Sequence, residues 1–292
     1  MHGMKIIVPP QITGAFKMRS GDADKYSVGT VAVVGGSDRY ANAPVMAGLG
    51  ARVAGAGLVS LVVPAVSRLA ASALVPEATF ARLTPNCIPP RADVVAMGMG
   101  LGVDTNSEIV VSRLLSGSSG KFVLDADALT ILAGWYGKRD GYEPAEKQEL
   151  ILTPHEGEAA RLLNKRREEV SANRLACAKE IASRYGATVV LKGANSIVVP
   201  PDLGRVYENN TGNPFMALGG MGDLLAGMIA ARWAYLKCDA FTAAASAVWL
   251  HGLAADCLVA KAADFSVVST AAQAGALRVL LDSGRNELQS GG

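Results

Sequence analysis

The sequence predicts an α/β protein built on a mostly parallel sheet. Three observations carry that reading: short Val/Ile-rich runs alternate with longer Ala/Leu-rich segments of helical period, the runs end at glycine or polar turns, and no composition break divides the chain. The first run, Thr30–Val34, reads as a buried strand ending at Gly35-Gly36. A helix is expected from Asn42-Ala43-Pro44, with Asn42 as the N-cap and Pro44 in the first turn, to Gly57, where the strand Leu58–Val63 begins. Further strands are expected at residues 93–96, 122–124 and 150–152, each followed by a turn and a helix. A helix over about residues 168–185 then leads to the strand Thr188–Leu191, and SIVVP and RVYEN flank residues 201–204 as a hairpin. Three helical stretches begin near Gly222, Phe241 and Ser269, and the final NELQSGG is expected to fray. The polar residues 137–147 read as a surface loop, and residues 1–292 as a single domain.

Composition narrows the function. Lys+Arg minus Asp+Glu is 28 − 26, a net charge of only +2, which argues against a nucleic-acid binder held by a basic face. Half of the 292 residues are hydrophobic, so global disorder is excluded. Arg52, Arg232, His251 and Asp256 interrupt the longest apolar stretches, so no membrane span is expected. The N-terminus shows no signal-peptide pattern, which points to the cytoplasm. Cys87, Cys177, Cys238 and Cys257 contain no CxxC and suggest buried free thiols rather than zinc or disulfides. Glycine is in excess at 32 residues, without a repeat.

The segment NNTGNPFMALGGMGDLLAGMIAA, residues 209–231, is the most informative. Gly219, Gly220 and Gly222 precede an apolar helix, whose first backbone N–H groups could hold a phosphate. Asp223 in its first turn has two readings: a carboxylate favoured by the helix dipole, or a base that deprotonates an attacking hydroxyl. No GxxxxGK[ST] is present, and GMGLG at residues 98–102 lacks the spacing of GxGxxG. His155 lies in a strand-to-helix turn, where sites of open α/β sheets collect, whereas His251 on an apolar helix reads as a core or interface residue. Lys192, followed by Gly193, could reach a nucleotide phosphate or be a solvated turn residue. Asp125 could bond backbone or face a Mg²⁺-nucleotide, and Asp127 could cap the next helix.

In this order, GTVAVVGGSDRYANAPVMAGLGARVAGAGLVSLVVP, GMGLG, LDADAL, LTPHEGEAARLL, LKGANSIVV and the NNTGNPFMALGGMGD segment resemble the ADP/ATP-dependent NAD(P)H-hydrate dehydratases, a branch of the ribokinase-like fold. The resemblance runs over residues 29–231. It implies a three-layer α/β/α sandwich and dehydration of the S epimer of hydrated NADH or NADPH, driven by ADP or ATP with Mg²⁺ bridging the phosphates. By the same resemblance Asp223 is the base and the amides around Gly220 and Gly222 the anion hole. Ala43, Gly102, His155 and Asp223 line the hydrated-cofactor site, while Lys192, Gly193, Ala194, Asn195, Ser196 and Gly222 contact the nucleotide. No protein metal ligand is implied. The family further suggests a homotetramer, a preference for ADP, and cooperation with a separate NAD(P)H-hydrate epimerase, since only about 28 residues precede the first strand.

Two positions depart from the family pattern. Glu156 stands where proline is usual and is expected to loosen the backbone after His155; Met221 replaces a frequent serine where only a backbone N–H is needed. The competing readings are a small-molecule kinase of the hydroxyethylthiazole or hydroxymethylpyrimidine type, which would share GGMGD, and a nucleotide-sensing module, for which Asp223 would be superfluous.

Overall fold

A computed structural model describes residues 4–87, 89–116, 120–135, 148–285 and 287–288; the whole of the expected loop at 137–147 lies outside them. The first half contains β1 (Met4–Lys5), β2 (Thr30–Val34), α1 (Ala43–Val53), β3 (Leu58–Val63), α2 (Arg68–Leu74), β4 (Thr79–Arg82), β5 (Val94–Met97), α3 (Thr105–Ser116), β6 (Gly120–Leu124) and α4 (Asp127–Trp135). The second contains β7 (Gln148–Leu152), α5 (Glu156–Leu163), α6 (Arg167–Ala172), α7 (Arg174–Tyr185), β8 (Thr188–Leu191), β9 (Ile197–Val199), β10 (Tyr207–Glu208), α8 (Met221–Leu236), α9 (Ala240–Ala260), α10 (Val267–Asp282) and β11 (Glu287–Leu288).

The large sheet has the order β10-β9-β8-β7-β6-β5-β2-β3-β4. Strands β2 to β8 are parallel to their neighbours, and β9 and β10 close one edge antiparallel as the expected hairpin. Strand periodicity then separates two cores. Val31, Val33, Leu61, Ala96, Val123, Ile151 and Val190 pack under α1, α8, α9 and α10, while Val34, Val62, Met97, Leu124, Leu152 and Leu191 pack against α3, α4, α5 and α7. Both faces of the sheet are thus covered, which is why its strands read as unbroken apolar runs. The expected three-layer α/β/α sandwich is observed.

Several local expectations are corrected. Helix α1 stops at Val53 rather than Gly57, because the chain turns at Gly55 with φ +114°. Asn42 precedes it, yet its side chain makes no capping bond. The single helix expected over 168–185 is two, broken at Asn173 (φ −138°, ψ 47°). Strand β4, a half-exposed edge, has no alternating apolar pattern to announce it. Glu287 and Leu288, expected to fray, pair antiparallel with β1. Cys177 and Cys257 are buried free thiols as expected, but Cys87 and Cys238 are half-buried. Helix α9 is long and apolar enough to cross a bilayer, but 78% of its apolar window is buried inside the protein.

Candidate active site

The parallel strands aim their carboxyl ends at one rim, where open α/β sheets place their ligands. Residues 98–102 follow β5, Asp125 follows β6, Thr153 and His155 follow β7, and Lys192 follows β8. The glycines of the first loop are required by close approach: a Cβ on Gly98 would lie 2.1 Å from the Asp125 carbonyl oxygen, and one on Gly100 would meet Tyr40 and Ala43. Ala43, at the start of α1, is thereby held against the GMGLG loop.

At the centre of the rim Lys192 donates to Asp125 Oδ1 at 2.6 Å and lies 3.9 Å from Glu158. Thr153 Oγ1 also donates to the same oxygen, at 2.8 Å, so Oδ1 of this 1%-exposed carboxylate is held by two donors. Lys192 is therefore a partly buried ion-pair member rather than a solvated turn residue. Burial works against its charge, but Asp125 and Glu158 outweigh burial and hold its pKa above the ordinary lysine value. Asp127, expected as a helix cap, sits inside the first turn of α4, and its Oδ2 accepts instead from the Gly102 amide at 2.7 Å. The two acids of LDADAL thus brace two different loops.

His155 caps α5. Its Nδ1 accepts from the amides of Gly157 at 2.9 Å and Glu158 at 3.3 Å, while Glu158 Oε2 accepts from the His155 amide at 2.8 Å. This reciprocal box assigns the proton of the neutral imidazole to Nε2, on a side chain that is 56% exposed. Burial, then Lys192 and Arg161, keep the ring's pKa below the ordinary histidine value. Glu156 does not loosen this backbone: it is the first residue of α5, and the capping box fixes the turn around it. Glu158, missed in the sequence, is pushed up to about 6 by burial against the pull of Lys192. The signal was there: His155-x-x-Glu158 has capping-box spacing with histidine in the serine position.

Asp223 lies in the first turn of α8, after Gly220 at φ +95°. Burial, then the neighbouring charge of Asp125, raise its pKa to about 7, with Asp127 and Glu158 adding to the push and Lys192 opposing it. A carboxyl group titrating there can accept a proton near neutrality. The Lys192 ammonium stands 3.4 Å from where a Cβ on Gly222 would be, so a cation and the unpaired amides of the helix start face the same space. The Met221 amide points at the Leu218 carbonyl at 3.4 Å, and its side chain is buried.

Beside this cluster opens a cavity of about 520 Å³. Lys192, Gly193, Ala194, Asn195, Ser196 and Gly222, the whole expected nucleotide set, line it. Ala43, Gly102, His155 and Asp223 are outside its wall, so the expected residues divide into two groups that adjoin through Lys192 and the start of α8. The opposite wall was not foreseen: it includes Asn209, Thr211, Asn213 and His251. Asp256 accepts from the Gly212 amide at 2.8 Å and from Asn213 Nδ2 at 2.9 Å, which pins this polar segment to α9. His251 is buried as expected of a core residue, and burial lowers its pKa to about 4, yet it also faces the cavity.

Among the described residues no group of three acidic, His or Cys side chains is arranged to hold a metal ion. Asp125 is committed to Lys192 and Thr153, and Asp127 to the Gly102 amide, so these acids do not form a ready Mg²⁺ cage.

A nine-stranded α/β/α sandwich with a glycine-led helix start, a raised carboxyl in its first turn and a cavity alongside defines a ribokinase-like, nucleotide-site class of protein. The comparisons narrow the class. The model of the NAD(P)H-hydrate dehydratase family matches residues 31–275, and the chain belongs to that family. It is 39% identical to an ADP-dependent (S)-NAD(P)H-hydrate dehydratase of Neisseria meningitidis, over 82% of this chain and 81% of the relative. It is 35% identical to a bifunctional NAD(P)H-hydrate repair enzyme of Escherichia coli, over 86% of this chain but only 47% of that protein. Among solved structures, the ADP/ATP-dependent NAD(P)H-hydrate dehydratase of Bacillus subtilis, co-crystallised with ATP/Mg²⁺, aligns with TM-score 0.80 and 28% identity, covering 91% of this chain and 94% of that one. A hydroxyethylthiazole kinase of Pyrococcus horikoshii, at 15% identity and TM-score 0.54, shares the fold alone.

Proposed function

We propose that the protein dehydrates the S epimer of hydrated NADH or NADPH at the expense of ADP or ATP. The observation that carries the reading is the raised carboxyl of Asp223 at the start of α8, between the cavity lined by Lys192, Gly193, Ala194, Asn195, Ser196 and Gly222 and the rim that holds Ala43, Gly102 and His155. The nucleotide fills the cavity, and the hydrated nicotinamide lies on the rim. Asp223 takes the proton of the ring hydroxyl as its oxygen attacks the terminal phosphorus, releasing AMP from ADP or ADP from ATP. Amides around Gly220 and Gly222, with Lys192, stabilise the charge on the transferring group. The carbon–oxygen bond then breaks with phosphate as leaving group, a proton leaves the adjacent carbon, and the ring double bond is restored. Phosphate leaves far more readily than hydroxide, which is what the nucleotide supplies.

Mg²⁺ would arrive on the nucleotide phosphates, which supply its ligands in place of a protein cage. The reading includes a single-domain, cytoplasmic homotetramer that favours ADP, as the name of the Neisseria relative supports, and works beside a separate epimerase. The test is direct: purified protein with the hydrated S epimer, Mg²⁺ and ADP or ATP is expected to regenerate the absorbance of the reduced nicotinamide. Folded protein that regenerates none with either nucleotide would overturn the reading, and running both arms measures the nucleotide preference.

A further inference from the structure

One side chain that belongs to neither expected group is bonded to the loop along the cavity wall. Arg174, the first residue of α7, spreads its guanidinium under the loop that joins β8 to β9. One terminal nitrogen donates to the carbonyls of Ala194 and Asn195, the other to those of Leu191 and Lys192, each at 3.3 Å. Four of the five carbonyls of residues 191–195, all but that of Gly193, converge on a single planar cation, a pattern that the five-donor fork of arginine can satisfy and a lysine cannot. Gly193 itself sits at φ +148°, and a Cβ there would lie 2.7 Å from the same guanidinium, which would have to shift. The glycine of the Lys-Gly pair therefore answers to Arg174 as well as to any ligand.

The guanidinium is held in turn from the far side. Its Nε faces Glu156 Oε1 at 3.6 Å, and the other oxygen of Glu156 lies 3.7 Å from Arg167. Glu156 directly follows His155, and the neighbouring Pro154 carbonyl accepts from the Lys192 amide at 2.8 Å. The loop along the cavity and the turn bearing His155 are thus joined twice, once through backbone and once through Glu156 and Arg174. We propose that Arg174 is a positioning residue for nucleotide binding, which shapes the loop of residues 191–195 and, through Glu156, ties it to the His155 turn. This rests on the nucleotide reading of the cavity.

The experiment measures ADP binding by calorimetry, steady-state constants for ADP, amide hydrogen exchange over residues 192–196 and melting temperature, in wild type, Arg174→Ala, Arg174→Lys and Glu156→Gln. In Arg174→Ala the Kd and KM for ADP are expected to rise about tenfold with kcat within about threefold of wild type, and the loop amides to exchange faster. Arg174→Lys is expected to stay within about threefold of the alanine variant, whereas an arginine that only balances charge or fills space would be rescued by lysine. It also carries the test if the alanine variant folds poorly. Glu156→Gln is expected to shift the same constants about threefold in the same direction. Wild-type ADP affinity in both Arg174 variants would overturn the proposal while leaving the dehydratase reading intact. An unchanged Glu156→Gln protein would overturn the link to the His155 turn. A wild-type chain that binds neither ADP nor ATP would bring down the nucleotide reading together with this one.

Discussion

Asp223 carries the sharpest residue-scale consequences. Its carboxyl must be ionised to accept a proton, and its pKa stands near 7. The kcat/KM for the hydrated cofactor, which reports the free enzyme, is therefore expected to fall about tenfold per pH unit below that value and to level off above it. Glu158→Gln removes one of the negative charges raising Asp223, so the midpoint of the same profile is expected to move to lower pH; an unmoved midpoint would detach it from Asp223. Asp223→Asn is expected to abolish turnover with nucleotide affinity nearly intact, and full activity would remove Asp223 as the base. The same substitution has a sign for stability. A carboxyl whose folded pKa lies above its unfolded one favours the fold below the unfolded value, and that contribution is lost as pH rises through about 7. The asparagine protein is therefore expected to melt higher than wild type at pH 8 and to lose that advantage in acid, which thermal melts at the two pH values check. Lys192 and His155 stood out in the sequence because each follows an apolar strand run, and Asp223 because glycines precede it at a helix start. Arg174 was not chosen, because an arginine twenty residues from the loop it holds carries no local mark of the contact, whereas Glu158 was passed over although its capping-box spacing is local.

Among the elements, α1 and α8 matter most, since one begins at Ala43 and the other carries Asp223. They touch backbone to backbone. A Cβ on Gly227 would fall 1.8 Å from the Ala47 carbonyl oxygen, and one on Gly50 would fall 2.1 Å from that of Leu224. Gly227→Ala must push the helices apart, and is expected to lose about 2–4 kcal/mol of stability together with a marked drop in kcat. A circular-dichroism melt and the regeneration assay check both; an unchanged melt would show that the pair can separate freely. Element order was readable from alternating apolar runs and helical segments, and three strands match to the residue. Boundaries failed where the deciding contact was distant or conformational: Gly55 turns the chain beyond α1, Asn173 leaves helical angles between α6 and α7, and the edge strand β4 takes its register from β3 rather than from its own pattern.

At the scale of the whole molecule, a net charge of +2 and a proposed site built from helix-start amides and one partly buried lysine predict short-range anion binding. Raising salt from about 0.05 to about 0.5 M is expected to weaken ADP binding by less than about threefold at constant Mg²⁺. A steep dependence in the calorimetric Kd would point instead to a broad basic surface. The glycine excess, visible at once in the composition, resolves into two uses: loops at the rim, and helix faces such as Gly50 and Gly227 where backbones meet.

Helix α9, apolar enough for a bilayer yet wrapped by its own protein, places a demand on the order of synthesis. It packs against α8, β7, β8 and β9, all of which leave the ribosome before it, and only α10 among its main helical neighbours follows. The chain thus prepares the cradle before delivering its most membrane-like segment. A circular permutant that emerged with α9 first would present that segment naked, inviting aggregation or misinsertion in a protein whose finished surface gives no hint of the hazard.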